Sequence, residues 1–391
     1  MAQKKSRREF IELGLKASVA FSVLPTLLSC ETKTENKGQV SKEKNSKKLN
    51  ILILGGTSFL GPHQIAYALQ RGHKVSTFTR GKTKPTVYAK LFDQVEQLVG
   101  DREDNLTALE NRQWDVVIDN SGRKVDWTKK TAKLLKENCG LYLYTSSTGV
   151  YYPYTKSNSK ENDKVLLELP ENYNEDFKMV YDYGIMKANS ELAAIAEFGK
   201  DKTIVVRPTY MIGPADKTNR FIHWPIRLSK GGEILVPGKE TDKVQYMDVR
   251  DVAEWMIRLA EEKKSGTYNA VGPKEAQNMY NFIEEASKAF SVESSFVKID
   301  DYDFLTENGI EYIVPWIMPL PDLVGSAKIN NEKAKNNGLT FRPLQQTVKD
   351  TYDWWNSDAV TQKQRDEVEQ NPNSILMKEP SILEKWKALH S

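Results

Sequence analysis

The run Leu49-Asn50-Ile51-Leu52-Ile53-Leu54, followed at once by Gly55-Gly56-Thr57-Ser58-Phe59-Leu60-Gly61, limits what this chain can fold into more than any other stretch. A short, nearly continuous apolar segment ending in glycines predicts a strand buried on both faces, as in parallel sheets. A helix is expected next, over 61–71, with Gly72 closing it. The segments 74–79, 97–99, 116–119, 140–144 and 203–207 read as further strands, with helices near 129–137 and 183–198. That alternation predicts an α/β fold built on a doubly wound parallel sheet of the Rossmann kind, over 49–208.

Beyond Pro208 the connections lengthen and aromatic residues multiply, Trp224, Tyr246, Trp255, Tyr280, Tyr302, Tyr312 and Trp316 among them. A smaller lobe that covers a substrate is expected over 209–355, with helices at 248–261, 278–290 and 344–355. The remainder, 356–391, reads as a polar tail.

Two sets of residues carry chemistry. The glycine loop lies where backbone amides and a helix N-terminus can meet a pyrophosphate, so Gly55, Thr57, Ser58, Phe59, Leu60 and Gly61 are expected to cradle a dinucleotide. Tyr183 and Lys187, four apart on a helix, share one face. An ammonium beside a phenol favours its ionised form. Such a tyrosine can take a proton from a substrate hydroxyl while hydride leaves the same carbon for a nicotinamide.

With these motifs in place, the chain resembles the extended or atypical short-chain dehydrogenases/reductases of the NAD-dependent epimerase/dehydratase type. The resemblance covers roughly 50–355. The family loop is Gly-x-x-Gly-x-x-Gly, and here Ser58 occupies the middle glycine. The segment Thr145-Ser146-Ser147-Thr148-Gly149-Val150-Tyr151 is similar to the family's Ser-Ser-x-x-x-Val-Tyr, which implies that Ser147 is the catalytic hydroxyl beside Tyr183 and Lys187. Val205-Val206-Arg207-Pro208, Ile212-Gly213-Pro214, the run 245–253 and the run 268–273 extend the likeness.

The resemblance also implies cofactor contacts at Asp101 and Asn120. Where relatives place a ribose-binding acid, this chain has Thr79 followed by Arg80. That leans toward NADP, since arginine suits a 2′-phosphate, although Arg80 can equally stack on adenine and NAD stays open. Position after the Gly-Pro loop suggests Arg220, His223, Trp224 and Arg227 as pocket residues, with Tyr210, a further substrate-binding candidate, and Tyr246 nearby; an exposed amphipathic helix is an equal alternative. His63 reads as a helix-start residue, and Asp182 as part of a solvated face.

The N-terminus adds a location. Ser6-Arg7-Arg8-Glu9-Phe10-Ile11 before a mildly apolar run resembles a twin-arginine export signal, and Leu27-Leu28-Ser29-Cys30 resembles a lipobox with Cys30 as the lipidated residue. Residues 1–29 are then a signal, and 30–48 a lipidated tether holding the protein to a bacterial membrane on its exported side. The alternative is a basic, unstructured leader.

Residues 1–48 hold eleven Lys and Arg against five Glu, a surplus of six within a total of +3, so the rest of the chain stands at −3. An acidic body speaks against general nucleic-acid binding. Two cysteines, Cys30 and Cys139, are too few for a disulfide framework or a thiolate zinc site, and no metal is expected.

Outside the cytoplasm, free nicotinamide cofactors and nucleotide sugars are scarce. These considerations lead to the expectation of a carbohydrate-active dehydratase with a tightly bound NAD or NADP, acting on sugars or uronic-acid-terminated oligosaccharides. An epimerase comes second and a net NADP-dependent reductase third. A non-enzymatic dinucleotide- or RNA-binding protein also stays open, because plastid RNA-associated relatives carry a similar Gly-Gly-Thr-x-Phe-x-Gly loop. Family members often pair as homodimers, although the sequence leaves oligomeric state open. Thr148-Gly149 stand where nucleotide-sugar dehydratases have Asp-Glu, so the 4,6-elimination of those enzymes is not expected.

Overall fold

A computed structural model of the protein describes residues 47–391. The export signal, Cys30 and most of the tether fall outside the described residues. The first half alternates β1 (Asn50–Leu54), α1 (Leu60–Gln70), β2 (Lys74–Thr79), β3 (Glu96–Val99), β4 (Val116–Asp119), α2 (Val125–Leu135), β5 (Tyr142–Thr145), α3 (Lys178–Phe198) and β6 (Thr203–Pro208). The second half runs β7 (Met211–Ile212), α4 (His223–Lys230), β8 (Gly232–Pro237), β9 (Lys243–Asp248), α5 (Val249–Glu261), β10 (Gly266–Ala270), β11 (Gly272–Asn278), α6 (Met279–Ser287) and β12 (Ser294–Ile299). Three longer helices follow among others: α7 (Leu344–Trp355), α8 (Gln362–Glu369) and α9 (Ile375–His390).

Seven parallel strands make the central sheet in the order β10-β6-β5-β4-β1-β2-β3. The order reverses between β1 and β4, and in open α/β sheets ligands bind in the crevice beyond the strand ends at such a reversal. The strands are apolar along their length because helices cover both faces: Ile51, Ile53, Val116 and Ile118 lie in one core, Leu52, Leu54, Val117 and Tyr142 in the other.

The boundary between the two halves is less simple than a cut at Pro208. Helix α5 packs its Val252, Met256 and Leu259 into the core of the central sheet, and β10 pairs with β6. Residues Val249–Ala270 therefore belong with the first unit. A second core, around Trp224, Phe282, Trp316 and Val348, gathers α4, β8, β9, α6 and α7.

The tail expected over 356–391 is helical instead, in α8 and α9. Ile382 and Leu383 of α9 are buried in the second core, and Glu379 is ion-paired to Arg227. Its many Lys and Glu residues concealed an amphipathic helix. Helix α3 also starts five residues before Tyr183, because Asn174 caps a single turn by accepting from the Asp176 N–H at 3.0 Å and that turn runs into the helix.

Candidate active site

The glycine loop fills the crevice at the sheet reversal. Gly55 adopts φ +82°, and a methyl group there would lie 2.7 Å from Cβ of Ser121 in the loop after β4. At Gly61 a methyl would lie 2.4 Å from the carbonyl oxygen of Gly56. Only glycine lets the loop fold back onto the first turn of α1. Phe59 is held at φ 43°, ψ −92°, a conformation rare for a side-chain-bearing residue and common at ligand clamps. No side chain caps α1 and its first turn holds no acid, so the helix N-terminus carries no built-in anion. This cradle fits the pyrophosphate of a dinucleotide.

Around the loop, Asn120 accepts from Thr145 Oγ1 at 2.7 Å and donates to Gln64 Oε1 at 2.6 Å, which locks β4, β5 and α1 together at this end. Asp101 spends one carboxylate oxygen on the Glu103 N–H at 3.0 Å. Arg80 is exposed where β2 ends, with Lys82 and Lys84 exposed after it. Arg102, which the motifs do not single out, is buried; it donates to Asp119 at 2.9 Å and to Thr131 at 2.7 Å. Burial pushes the Asp119 carboxyl upward, but the Arg102 guanidinium and the Tyr142 hydroxyl outweigh it and hold the pKa below the ordinary range.

Tyr183 and Lys187 share the inward face of α3. The Lys187 ammonium is buried, donates to the Thr145 carbonyl at 3.0 Å and stands 5.0 Å from the centre of the Tyr144 ring. Burial opposes its charge, yet Tyr144, Tyr183 and Asp119 overcome that and raise its pKa. Ser147 Oγ accepts from the Gly149 N–H at 3.0 Å, capping the turn Thr148–Tyr151. A methyl built at Gly149 would lie 3.0 Å from Cε1 of Tyr183 and 3.2 Å from Ser147 Oγ, so the phenol ring and the serine hydroxyl flank that glycine. The turn is fastened from behind by a buried pair: Arg207 donates to Glu191 at 2.6 Å and to Tyr151 Oη at 2.7 Å, and Tyr151 donates to Asn269 at 2.8 Å.

On the open side of Tyr183 stands a cluster that only folding assembles. The Arg220 guanidinium lies 5.4 Å from the Tyr210 ring centre, and Tyr210 packs edge-on to Tyr312 at 6.0 Å. Tyr183 is close enough to act electrostatically on Arg220, Tyr210 and Tyr154. Asp216, four per cent exposed, accepts from Thr218 with one carboxylate oxygen while the other has no hydrogen-bond partner among the described residues. Sequence reading missed Asp216, Tyr154 and Tyr312; the first lies just after the Gly-Pro loop, but nothing local distinguishes the other two.

Two substrate candidates go elsewhere. Arg227 is drawn to Glu379 of α9 and to the Gly231 carbonyl at 2.8 Å, which makes it a fastening of the second lobe. His223 packs edge-on to the buried Trp224 at 4.7 Å; burial first, then Arg227 and Lys230, push its pKa down to about 3. Asp182 pairs with Lys178 at 2.7 Å on an exposed helix face. Cys139 is buried, and burial pushes its thiol up to about 12. Among the described residues, no helix is long and apolar enough to cross a membrane and no group of three His, Cys, Asp or Glu could hold a metal ion.

Residues 51–271, more than half of the chain, match the model of the NAD dependent epimerase/dehydratase family. The chain belongs to this family. Within it, the chain is similar to the chloroplast stem-loop binding protein of 41 kDa b from Arabidopsis thaliana, 27% identical over 255 residues that span 61% of this chain and 62% of that protein. Solved structures share the fold. The Bordetella bronchiseptica enzyme WbmH in complex with NAD+ superposes with a TM-score of 0.56 at 16% identity, covering 80% of this chain and 100% of that one. The dTDP-glucose 4,6-dehydratase of Bacillus anthracis in complex with NAD gives 0.54 at 17% identity, over 80% and 98%. The UDP-N-acetylglucosamine 4-epimerase of Methanobrevibacter ruminantium gives 0.55 at 16%, over 79% and 98%. Both halves of this epimerase/dehydratase-family chain are thus part of one shared architecture.

Proposed function

We propose that this protein is an exported, lipid-anchored sugar dehydratase that keeps NAD or NADP bound and returns it to its starting state in each turnover. The observation that carries this reading is the meeting of Ser147 and Tyr183 across Gly149, with Lys187 behind them and Arg220, Tyr210 and Asp216 in front. A bound nicotinamide dinucleotide supplies transient hydride acceptance at the carbon being oxidised. Ser147 orients a substrate hydroxyl and Tyr183 removes its proton, with Lys187 buried one helical turn further along the same face. The resulting ketone acidifies the neighbouring C–H, a β-hydroxyl leaves as water, and return of the borrowed hydride and proton to the unsaturated ketone closes the cycle with a net loss of one water.

Arg220 gives the open side a cation suited to a carboxylate, and Tyr210 gives an aromatic face suited to a sugar ring. A uronic-acid-terminated oligosaccharide has both groups. Gly149 explains why the acid pair of nucleotide-sugar dehydratases has no counterpart here: a side chain at 149 would press into the Tyr183 ring. Asp216, with its unpartnered buried oxygen and its charge acting on Arg220, is the carboxylate we assign to proton transfer at the eliminated position.

The same residues serve an epimerase if hydride returns to the opposite face of the ketone. An RNA-binding role has one supporting observation, the stem-loop binding protein among the relatives, and the body charge of −3 argues against it.

The test is to release and identify any dinucleotide from the purified protein, then incubate the protein with acidic oligosaccharides without added cofactor. Loss of one water from the product mass supports dehydration, and an unchanged mass with inverted stereochemistry favours epimerisation. Stoichiometric consumption of added NADPH would sink the recycling mechanism. The export reading fails if the mature chain stays in the cytoplasm with residues 1–29 attached.

A further inference from the structure

A second polar groove lies away from the cofactor crevice, between β9, β11 and the segment 327–332. Strand pairing opens it. Gly272 pairs with Tyr246 and Gln277 with Val244, so four residues of β11 stand opposite the single residue Gln245 of β9. The extra residues, Pro273 to Ala276, bow away from the sheet as a wide bulge. The gap holds about 380 Å³, within the roughly 300–1,000 Å³ range of ligand pockets.

The walls are fixed. Gln245 exchanges two hydrogen bonds with the backbone of Ile329, at 2.9 and 3.0 Å, and Asn331 donates to the Val271 carbonyl at 2.9 Å. Lys243, Lys274, Lys328 and Lys335 line the groove against Glu275 and Glu332. Among the described residues, none of Lys243, Lys274 and Lys328 makes an ion pair. Four lysines against two glutamates give this concavity a net charge of +2 on a body of net charge −3, which favours an anionic ligand. The remaining lining is rich in amides, which pair with hydroxyls, and contains no aromatic ring on which a nucleobase could stack.

We propose that this groove binds an acidic glycan chain, carboxylated or sulfated, as a subsite for the part of the substrate that extends beyond the reacting sugar. The description of the ligand as substrate rests on the function proposed above; its acidic and polyhydroxylated character rests on the groove. The two sites are physically linked. Tyr154 reaches the Tyr183 cluster and Asn158 lines the groove, four residues or at most about 14 Å of chain apart. That segment runs beside 322–330, with the Tyr154 carbonyl accepting from Gly325 at 2.7 Å and the Lys328 carbonyl from Asn158 at 2.6 Å.

Calorimetric titration of the full chain with a pentameric oligogalacturonate, its sulfated neutral-sugar counterpart, its carboxyl-reduced counterpart and a single-stranded RNA tests the proposal. The acidic oligosaccharides should bind, and the double substitution Lys243→Glu/Lys328→Glu should weaken binding about tenfold or more without lowering the melting temperature. Tyr183→Phe should bind as the wild type does. Equal binding of the reduced oligosaccharide, unchanged affinity in the double variant, or lysine-dependent binding of RNA alone would overturn the groove assignment. If no sugar is turned over while lysine-dependent glycan binding persists, the catalytic reading falls and the groove stands.

Discussion

Gly184 and Gly149 are in backbone contact: a methyl group at Gly184 would lie 2.4 Å from the Gly149 carbonyl oxygen. Gly184 follows Tyr183 directly on α3, and Gly149 lies in the turn that Ser147 caps. The close approach sets the distance between phenol and serine hydroxyl. Replacing Gly184→Ala should lower stability by about 1–3 kcal/mol and reduce kcat more than it raises KM, because the turn must move off the helix. Thermal unfolding together with steady-state kinetics checks this, and an unchanged kcat would show that the contact does not set the geometry.

Tyr183→Phe removes the phenolic proton acceptor and keeps the ring against Gly149. Turnover should fall roughly a hundredfold or more, with dinucleotide content and melting temperature retained. Quantifying released dinucleotide from both proteins separates loss of chemistry from loss of cofactor.

Arg80, exposed at the end of β2, bears on cofactor choice. Arg80→Ala should weaken NADP binding about tenfold and leave NAD binding unchanged. Fluorescence titration of apoprotein with each dinucleotide decides it. Equal effects on both would mean stacking on adenine instead.

His63 is buried, donates Nε2–H to the Pro214 carbonyl at 3.2 Å, and has its pKa pushed down to about 4, chiefly by burial. Its unfolded value is near 6.5, so between pH 6.5 and 4 the unfolded chain binds the extra proton. Stability is therefore fully present above about pH 6.5 and falls as pH drops toward 4, by up to about 3 kcal/mol from this group. Urea midpoints measured from pH 7 to pH 4 should show a shallower acid-side decline in His63→Leu than in the wild type.

Glu379 on α9 is three per cent exposed and holds both Arg227 and the Leu235 N–H, the latter at 2.7 Å. Glu379→Gln leaves the Arg227 guanidinium without its charge partner and should cost about 3 kcal/mol. A melting temperature within experimental error of the wild type would mean that α9 contributes little to the second lobe.

The sheet was legible because its signals are local. An apolar run ending in Gly55-Gly56 can be read as strand and turn from a few residues, and the Tyr183 to Lys187 spacing places two side chains on one face of any helix. Helix α9 was not legible in the same way. Lys and Glu interrupt its apolar residues, and its buried anchors, Ile382 and Leu383, acquire meaning only against the second core. Arg227 and Arg220 show the same divide. Both follow the Gly-Pro loop within one short stretch, yet Arg227 is captured by Glu379 from more than 150 residues away and Arg220 lies over Tyr210.

By itself, then, the sequence determined the glycine turn between β1 and α1, the strand and helix alternation and the placement of Tyr183 and Lys187 on one helix face, since each depends on backbone conformation or spacing within one element. Tertiary structure alone decided which side chains share the space in front of Tyr183, that Asp216, Tyr154 and Tyr312 are among them, and that a bulge in β11 opens a lysine-lined groove. Those depend on where separate elements come to rest, and in a packed fold that is set by core contacts between residues far apart in the chain.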